Sequence, residues 1–125
     1  MKKKLEEIVL QTRSEVVNDR ASDGVKGDPN DYLVGCCVEN AEALAERLRE
    51  KTNWDVTVIK GAVNYPKEPK PNSYERARKD GTLHHWVEVS DGEKVFYCNL
   101  VREGRRVYTE PLISRTLPSS YINFN

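Results

Sequence analysis

The sequence predicts an α+β fold in which helices pack on an antiparallel β-sheet. Two stretches in the first half carry apolar residues at helical spacing, and the dipeptide Asp91-Gly92 separates two stretches rich in β-branched and aromatic residues. A chain of 125 residues is long enough for one hydrophobic core, so we expect a single domain over residues 1–125. It would comprise an N-terminal helix and loop (1–31), a central core (32–101) and a C-terminal strand and tail (102–125).

Two helices are predicted in the first half of the chain. Residues 3–19 have apolar positions that recur every three or four residues, which is typical of an amphipathic helix. Residues 21–31 are rich in Gly, Asp and Pro and favour a surface loop. The second helix, residues 37–51, is dominated by Ala, Leu, Glu and Arg, and Gly35 marks its approach.

Strands are predicted in the second half. Residues 54–63 are rich in β-branched side chains and alternate in hydropathy. Residues 64–83 contain three prolines and many charges, which indicates a long loop with a helical turn near 74–79. Residues 84–99 form a hairpin that turns at Asp91-Gly92, because both central positions of a type I′ turn need positive φ. A further hairpin would return residues 105–112 after a turn at 102–105, and residues 118–125 are too irregular to assign.

Charge and cysteine content limit the classes of partner. Twenty Lys and Arg residues balance twenty Asp and Glu residues, so we expect neither nucleic acid nor an anionic membrane as a partner. Charged residues interrupt the apolar positions of the N-terminus, which therefore resembles neither a signal peptide nor a membrane span, and a cytoplasmic location is expected. Three cysteines, two of them adjacent, make a poor disulfide framework and leave at least one free thiol.

The hairpin predicts where its two adjacent histidines point. A two-residue loop at Asp91-Gly92 would place His84 opposite Asn99, within reach of a hydrogen bond between the two side chains. Trp86 and Tyr97 would share that face, where the indole could shield the pair from water. His85 would point to the other, more apolar face. A histidine beside a polar residue on a sheet is also compatible with a purely structural contact, so the hairpin alone does not establish chemistry.

The second helix supplies a candidate nucleophile. Cys37 lies on one helical stripe with three apolar residues of the same helix (Ala41, Leu44 and Leu48), whereas Cys36 is rotated away from it by about 100°. A cysteine in the first helical turn is near the positive end of the helix dipole, which lowers the pKa of a thiol. The alternative is that Cys37 is a buried free cysteine that packs as a small apolar side chain.

Together these motifs resemble the transglutaminase-like cysteine enzyme superfamily, which has a papain-like core. The matching segments are "GCCVENA" at 35–41, "ALAERLRE" at 43–50, "WDVTVIKGAV" at 54–63, "HHWVEV" at 84–89, and Asn99. The resemblance implies a nucleophile-bearing helix packed on an antiparallel sheet. It implies Cys37 as nucleophile, His84 as general base and acid, and Asn99 as the group that orients the imidazole. The supporting residues would be Gly35, Cys36, Trp86 and Tyr97.

The resemblance implies a cysteine peptidase or amidase that acts on a peptide, a protein or a small amide through a thioester acyl-enzyme, without cofactor or metal. One departure is that the third catalytic member is usually Asp, whereas Asn99 is neutral. Three alternatives stay open: an inactive binding module of the same fold, an enzyme that transfers the acyl group to an amine, and a zinc site. The zinc site would use Cys36 or Cys37 with a histidine and Cys98, although the usual ligand spacings are missing.

Overall fold

The computed structural model of the protein describes residues 1–22, 37–65, 68–102 and 110–124. Within these ranges three helices and five strands follow in the order α1 (Lys2–Ser22), α2 (Cys37–Lys51), β1 (Asp55–Val63), α3 (Tyr74–Asp80), β2 (Leu83–Ser90), β3 (Val95–Asn99), β4 (Leu112–Ser114) and β5 (Tyr121–Asn123). The strands form one sheet in the order β4-β3-β2-β1-β5, with every neighbouring pair antiparallel. The α+β class and the antiparallel sheet are therefore as the sequence predicts.

The two long helices form where apolar periodicity predicts them. The second has the predicted bounds, and its apolar stripe is fully buried at Ala41, Leu44 and Leu48. The first extends a few residues beyond the predicted 3–19 and buries Leu5 and Val9 in the same core. Two polar contacts also join the helices, where Arg47 pairs with Glu15 and Arg20 donates to Asn40. In the described ranges no helix combines the length and the apolar character that a membrane crossing requires.

Alternation along the strands gives the sheet two buried faces. We call the helix face the side on which Val87, Val89, Phe96 and Cys98 pack against α1 and α2. We call the tryptophan face the opposite side, where the core consists of Ile59, Val63, Trp86, Leu112 and Tyr121. Because successive side chains of a strand point to opposite faces, neighbouring residues of β2 belong to different cores.

The turn between β2 and β3 differs from the predicted one. The two strands pair Ser90 with Val95, so the loop has four residues, 91–94, and the predicted two-residue turn is wrong. The reason lies in the Asp91 carboxylate, which accepts hydrogen bonds from the main-chain N–H groups of Glu93 and Lys94 and stabilises the wider loop. The register is shifted by two positions, so the prediction that His84 lies directly opposite Asn99 is wrong, although every side chain stays on its predicted face.

The predicted long loop at 64–83 contains the helical turn that the sequence indicates. Helix α3 begins at Tyr74, after the Ser73 hydroxyl accepts the N–H of Arg76, and Gly81 ends it in the left-handed conformation with φ 72°. Ala77 is the buried residue of this helix. A short capped helix is therefore fixed against the sheet directly before β2.

The C-terminal strands complete the two edges of the sheet. β4 pairs with β3, with Leu112 opposite Asn99, whereas residues 103–109 of the predicted second hairpin lie outside the described residues. β5 pairs with the end of β1 through Val63 and Tyr121. The sequence left this last strand unassigned, although it supplies the Tyr121 ring to the tryptophan face.

Candidate functional site

The two adjacent histidines lie on opposite faces of β2. His84 points to the tryptophan face with Trp86, and His85 points to the helix face with Val87. A pairing of Cys37 with His84, the predicted base, requires α2 to cover the face that carries His84, but α2 packs on the face of His85. The face of His84 is instead filled by bulky side chains of the sheet itself, which pack against one another there and come from β1, β2, β4 and β5.

His84 is enclosed by aromatic rings. Its side chain is 1% exposed, and its Nε2 lies 3.0 Å from the hydroxyl oxygen of Tyr121. The Tyr121 ring meets it edge to face at 4.8 Å between centroids, and the Trp86 ring lies at 6.2 Å. Among the described residues its Nδ1 has no partner in good hydrogen-bond geometry, although the main chain of Arg102 is close enough to oppose the effect of burial on the pKa. Burial, with a smaller contribution from neighbouring His85, lowers the pKa of His84 to about 4, so this imidazole is neutral at pH 7.

His85 has a more polar environment. Its side chain is 3% exposed, and its Nε2 lies 3.3 Å from the hydroxyl oxygen of Tyr74 in α3. Burial lowers the pKa of His85 and the Lys60 ammonium lowers it further, whereas the carboxylates of Glu42 and Glu39 raise it. Both glutamates belong to the first half of α2. The negative charge that acts on His85 therefore comes from the half of α2 that begins at Cys37, whereas the positive charge of Lys60 comes from β1.

Asn99 contacts the main chain instead of an imidazole ring. It is fully buried, its Nδ2 donates to the carbonyl oxygen of His85 at 2.6 Å, and its Oδ1 accepts from the N–H of Leu100 at 2.8 Å. The predicted hydrogen bond between the side chains of Asn99 and His84 is not formed, because Nε2 of His84 contacts Tyr121 instead. Asn99 fixes the backbone of β2 at His85, so its effect on that residue is indirect.

The cysteines are described to different extents. Cys37 is the first residue of α2, whereas its side chain, Gly35 and Cys36 lie outside the described part of the chain. The pairing of the Cys37 sulfur with a histidine therefore stays a prediction from sequence. Cys98 is a free thiol buried in the helix-face core, and burial raises its pKa to about 12. Cys98 is consequently protonated at neutral pH and is a poor nucleophile.

Two of the supporting residues proposed from sequence, Trp86 and Tyr97, lie on the tryptophan face and not on the face of His85. Trp86 is fully buried on the tryptophan face and Tyr97 packs half-buried against it, so both accompany His84. Over residues 1–22, 37–65, 68–102 and 110–124 no group of three His, Cys, Asp or Glu side chains is placed to hold a metal ion. Tyr74, which contacts His85, was missed from sequence because it lies in a charged segment that indicated only a loop with a helical turn.

Comparisons with known proteins add no relative to this picture. No protein-family model, curated protein sequence or solved structure matches the chain. The resemblance to transglutaminase-like enzymes therefore stays a prediction from the sequence motifs of this chain.

Proposed function

We propose that the chain is a transglutaminase-like cysteine hydrolase, a peptidase or amidase, in which Cys37 is the nucleophile and His85 takes the role first given to His84. One observation carries the proposal: the helix that begins at Cys37 packs on the sheet face of His85, and Glu39, two residues into that helix, acts on the His85 pKa. His84 lies across the sheet, in a core that α2 does not reach.

The reaction that this pair would support is acyl transfer through a thioester. The thiol proton of Cys37 passes to His85, the sulfur attacks the amide carbon, and the leaving amine takes that proton as the C–N bond breaks. Water then attacks the thioester and gives a proton to His85, which returns it to the sulfur as the carboxylic acid leaves. N–H groups at the start of α2 would stabilise the oxyanion. An amine in place of water would give transfer instead of hydrolysis.

The electrostatics of His85 suit a general base. A lowered pKa keeps the imidazole unprotonated near neutral pH, so that it can accept the thiol proton. Glu39 and Glu42 act in the opposite sense and stabilise the imidazolium after that transfer. His84 has no carboxylate among the causes of its pKa shift, so a proton on its ring would lack this support.

Mass-spectrometric mapping of iodoacetamide labelling at about pH 6, below the free-thiol pKa of roughly 8.5, tests the proposal. We expect labelling to concentrate at Cys37 and to fall about tenfold in His85→Ala, which corresponds to a rise of one unit in the thiol pKa. His84→Ala is the matched variant, and Cys37 labelling should persist in it. Labelling mainly at Cys36, or a loss in His84→Ala alone, would contradict the assignment of the pair.

A second candidate function is a binding module that kept this fold without the reaction. The hydrogen bonds of Asn99 favour it, since the side chain that orients the imidazole in related enzymes is committed here to main-chain atoms. The same labelling experiment separates the two candidates. A binding module should contain no cysteine that reacts faster with iodoacetamide at pH 6 than a free thiol does.

A further inference from the structure

Each histidine of β2 is held by one tyrosine, and the two pairs lie on opposite faces of the sheet. Tyr121 contacts Nε2 of His84 at 3.0 Å, and Tyr74 contacts Nε2 of His85 at 3.3 Å. We infer that Tyr74 is the positioning residue of the candidate site: its phenol oxygen accepts the Nε2–H of His85, so that Nδ1 remains unprotonated for the thiol. This inference rests on the proposed function, in which His85 is the base.

The candidate site needs an orienting residue because Asn99, which the sequence predicts in that role, forms its hydrogen bonds with other groups. A catalytic imidazole must hold one ring nitrogen in a hydrogen bond so that the other keeps its orientation and its lone pair. Both polar atoms of Asn99 bond main-chain groups, at His85 and at Leu100. Tyr74 is the side chain that the described part of the structure shows hydrogen-bonded to the His85 ring. The orienting role therefore falls to α3 instead of β3.

The helix that carries Tyr74 is built to hold it in place. The Ser73 hydroxyl caps the first turn, and Gly81 closes the last turn through N–H bonds to the carbonyl oxygens of Ala77 and Arg78. Ala77 is buried, and the Thr82 hydroxyl donates to its carbonyl oxygen at 3.3 Å. A short helix fixed at both ends limits the positions open to the phenol, and a restricted partner is what orientation of a ring requires.

The direction of the hydrogen bond decides whether His85 can serve as the base. If Nε2–H donates to the phenol oxygen, Nδ1 carries the lone pair and can take the thiol proton. If the phenol donates to Nε2, the neutral ring carries its proton on Nδ1, where it cannot accept another. The charged groups that act on this ring, Lys60, Glu39 and Glu42, change its pKa without contacting Nε2. A phenol can donate or accept, so the contact with Tyr74 is compatible with both tautomers, and the proposed role requires the one in which Nε2–H donates.

The test combines ¹⁵N NMR of the histidine rings at pH 7.5 with the iodoacetamide labelling rate, in the full chain and in Tyr74→Phe. We expect the parent to hold His85 as the Nε2–H tautomer. Tyr74→Phe should mix the two tautomers and slow Cys37 labelling roughly fivefold, the effect of one hydrogen bond. Phe keeps the half-buried ring, and circular dichroism checks that the variant is folded. Tyr121→Phe is the matched control, which should alter the His84 signals alone.

Three results would overturn the inference: an Nδ1–H tautomer of His85 in the parent, an unchanged tautomer in Tyr74→Phe, or an equal loss of labelling in Tyr121→Phe. Failure of the proposed function has a different signature, because Cys37 labelling would then ignore His85→Ala while the tautomer still depended on Tyr74. That last result would support the hold of Tyr74 on the ring and reject the Cys37 and His85 pair.

Discussion

On the tryptophan face the ring of His84 is surrounded by the rings of Trp86 and Tyr121, whereas on the helix face the ring of His85 meets one phenol and lies near charged side chains. The two residues are adjacent in sequence and equally inaccessible, at 1% and 3% exposure. Their difference arises from the alternation of a β-strand, which assigns neighbouring side chains to separate cores.

This contrast shows that the burial of a histidine does not by itself determine its chemical reactivity. At His84 burial is the main influence on the pKa and is opposed by the main chain of Arg102 alone, so the neutral ring behaves as one more member of an aromatic cluster. At His85 burial and Lys60 are opposed by Glu39 and Glu42, so both protonation states are partly supported. Opposing influences on a histidine in a polar setting are a better indication of a reactive site than burial alone.

The largest expected effect concerns the aromatic cluster itself. Trp86→Ala removes a fully buried indole from the core of the tryptophan face and should reduce the free energy of unfolding by roughly 3–5 kcal/mol. Trp54→Ala is the matched variant, since that indole is only half-buried at the edge of the helix-face core and its loss should cost less. Urea denaturation measures both. Equal losses would mean that the two faces do not differ as described.

A second effect is the acid sensitivity that His84 contributes. Its pKa is about 4 in the folded protein against 6.5 in the unfolded chain, so the unfolded state binds more protons between these values. The free energy of unfolding must therefore fall as the pH drops from 6.5 to 4, by roughly 3 kcal/mol in total. In His84→Phe this contribution should disappear from urea denaturation curves recorded across that window. A variant that keeps the full acid sensitivity of the parent would show that His84 is not its source.

The smallest of the three effects distinguishes this chain from the family it resembles. Asn99→Asp introduces the residue usual in the family, but a carboxylate cannot donate to the carbonyl oxygen of His85. We expect a loss of roughly 2 kcal/mol in the free energy of unfolding and slower Cys37 labelling, because a buried acceptor is left unpaired. Asn72→Asp, at an exposed position, is the control. Faster labelling in Asn99→Asp would instead mean that position 99 orients an imidazole after all.

Local patterns predicted most of the fold. Helix α2 has its predicted bounds because periodicity, composition and the Gly35 signal agree there, and β1 lies within its predicted range for similar reasons. The hairpin turn was missed because the Asp91 carboxylate accepts two main-chain hydrogen bonds across a four-residue loop, which the dipeptide Asp91-Gly92 does not reveal. β5 was missed because a strand of three residues is too short to show alternation.

The arrangement of the site depends on distant residues, which explains why the sequence pattern assigned it only in part. The hairpin correctly separated His84 from His85, since alternation is local. The face of the sheet on which α2 packs depends on which side chains cover the opposite face. Those side chains include Leu112 and Tyr121, which lie more than twenty positions after the motif "HHWVEV". Tyr74 reaches His85 only because α3 folds back against the sheet. No spacing within "HHWVEV" encodes these contacts.

Gly61 is the position at which we expect the strongest sequence conservation among homologues of the chain. A Cβ atom at this position would overlap the Ile122 carbonyl oxygen and the Trp86 ring, so β5 and the indole can approach β1 only where no side chain exists. Replacing Trp86 by a smaller residue would remove one overlap and leave the other, because the carbonyl belongs to the backbone. Homologues that retain β5 should therefore keep glycine at position 61 even where Trp86 is replaced by another residue. Gly61 lies on β1, opposite His84 on β2. It should be conserved over a wider range of homologues than a motif such as "HHWVEV", whose residues can be replaced one at a time.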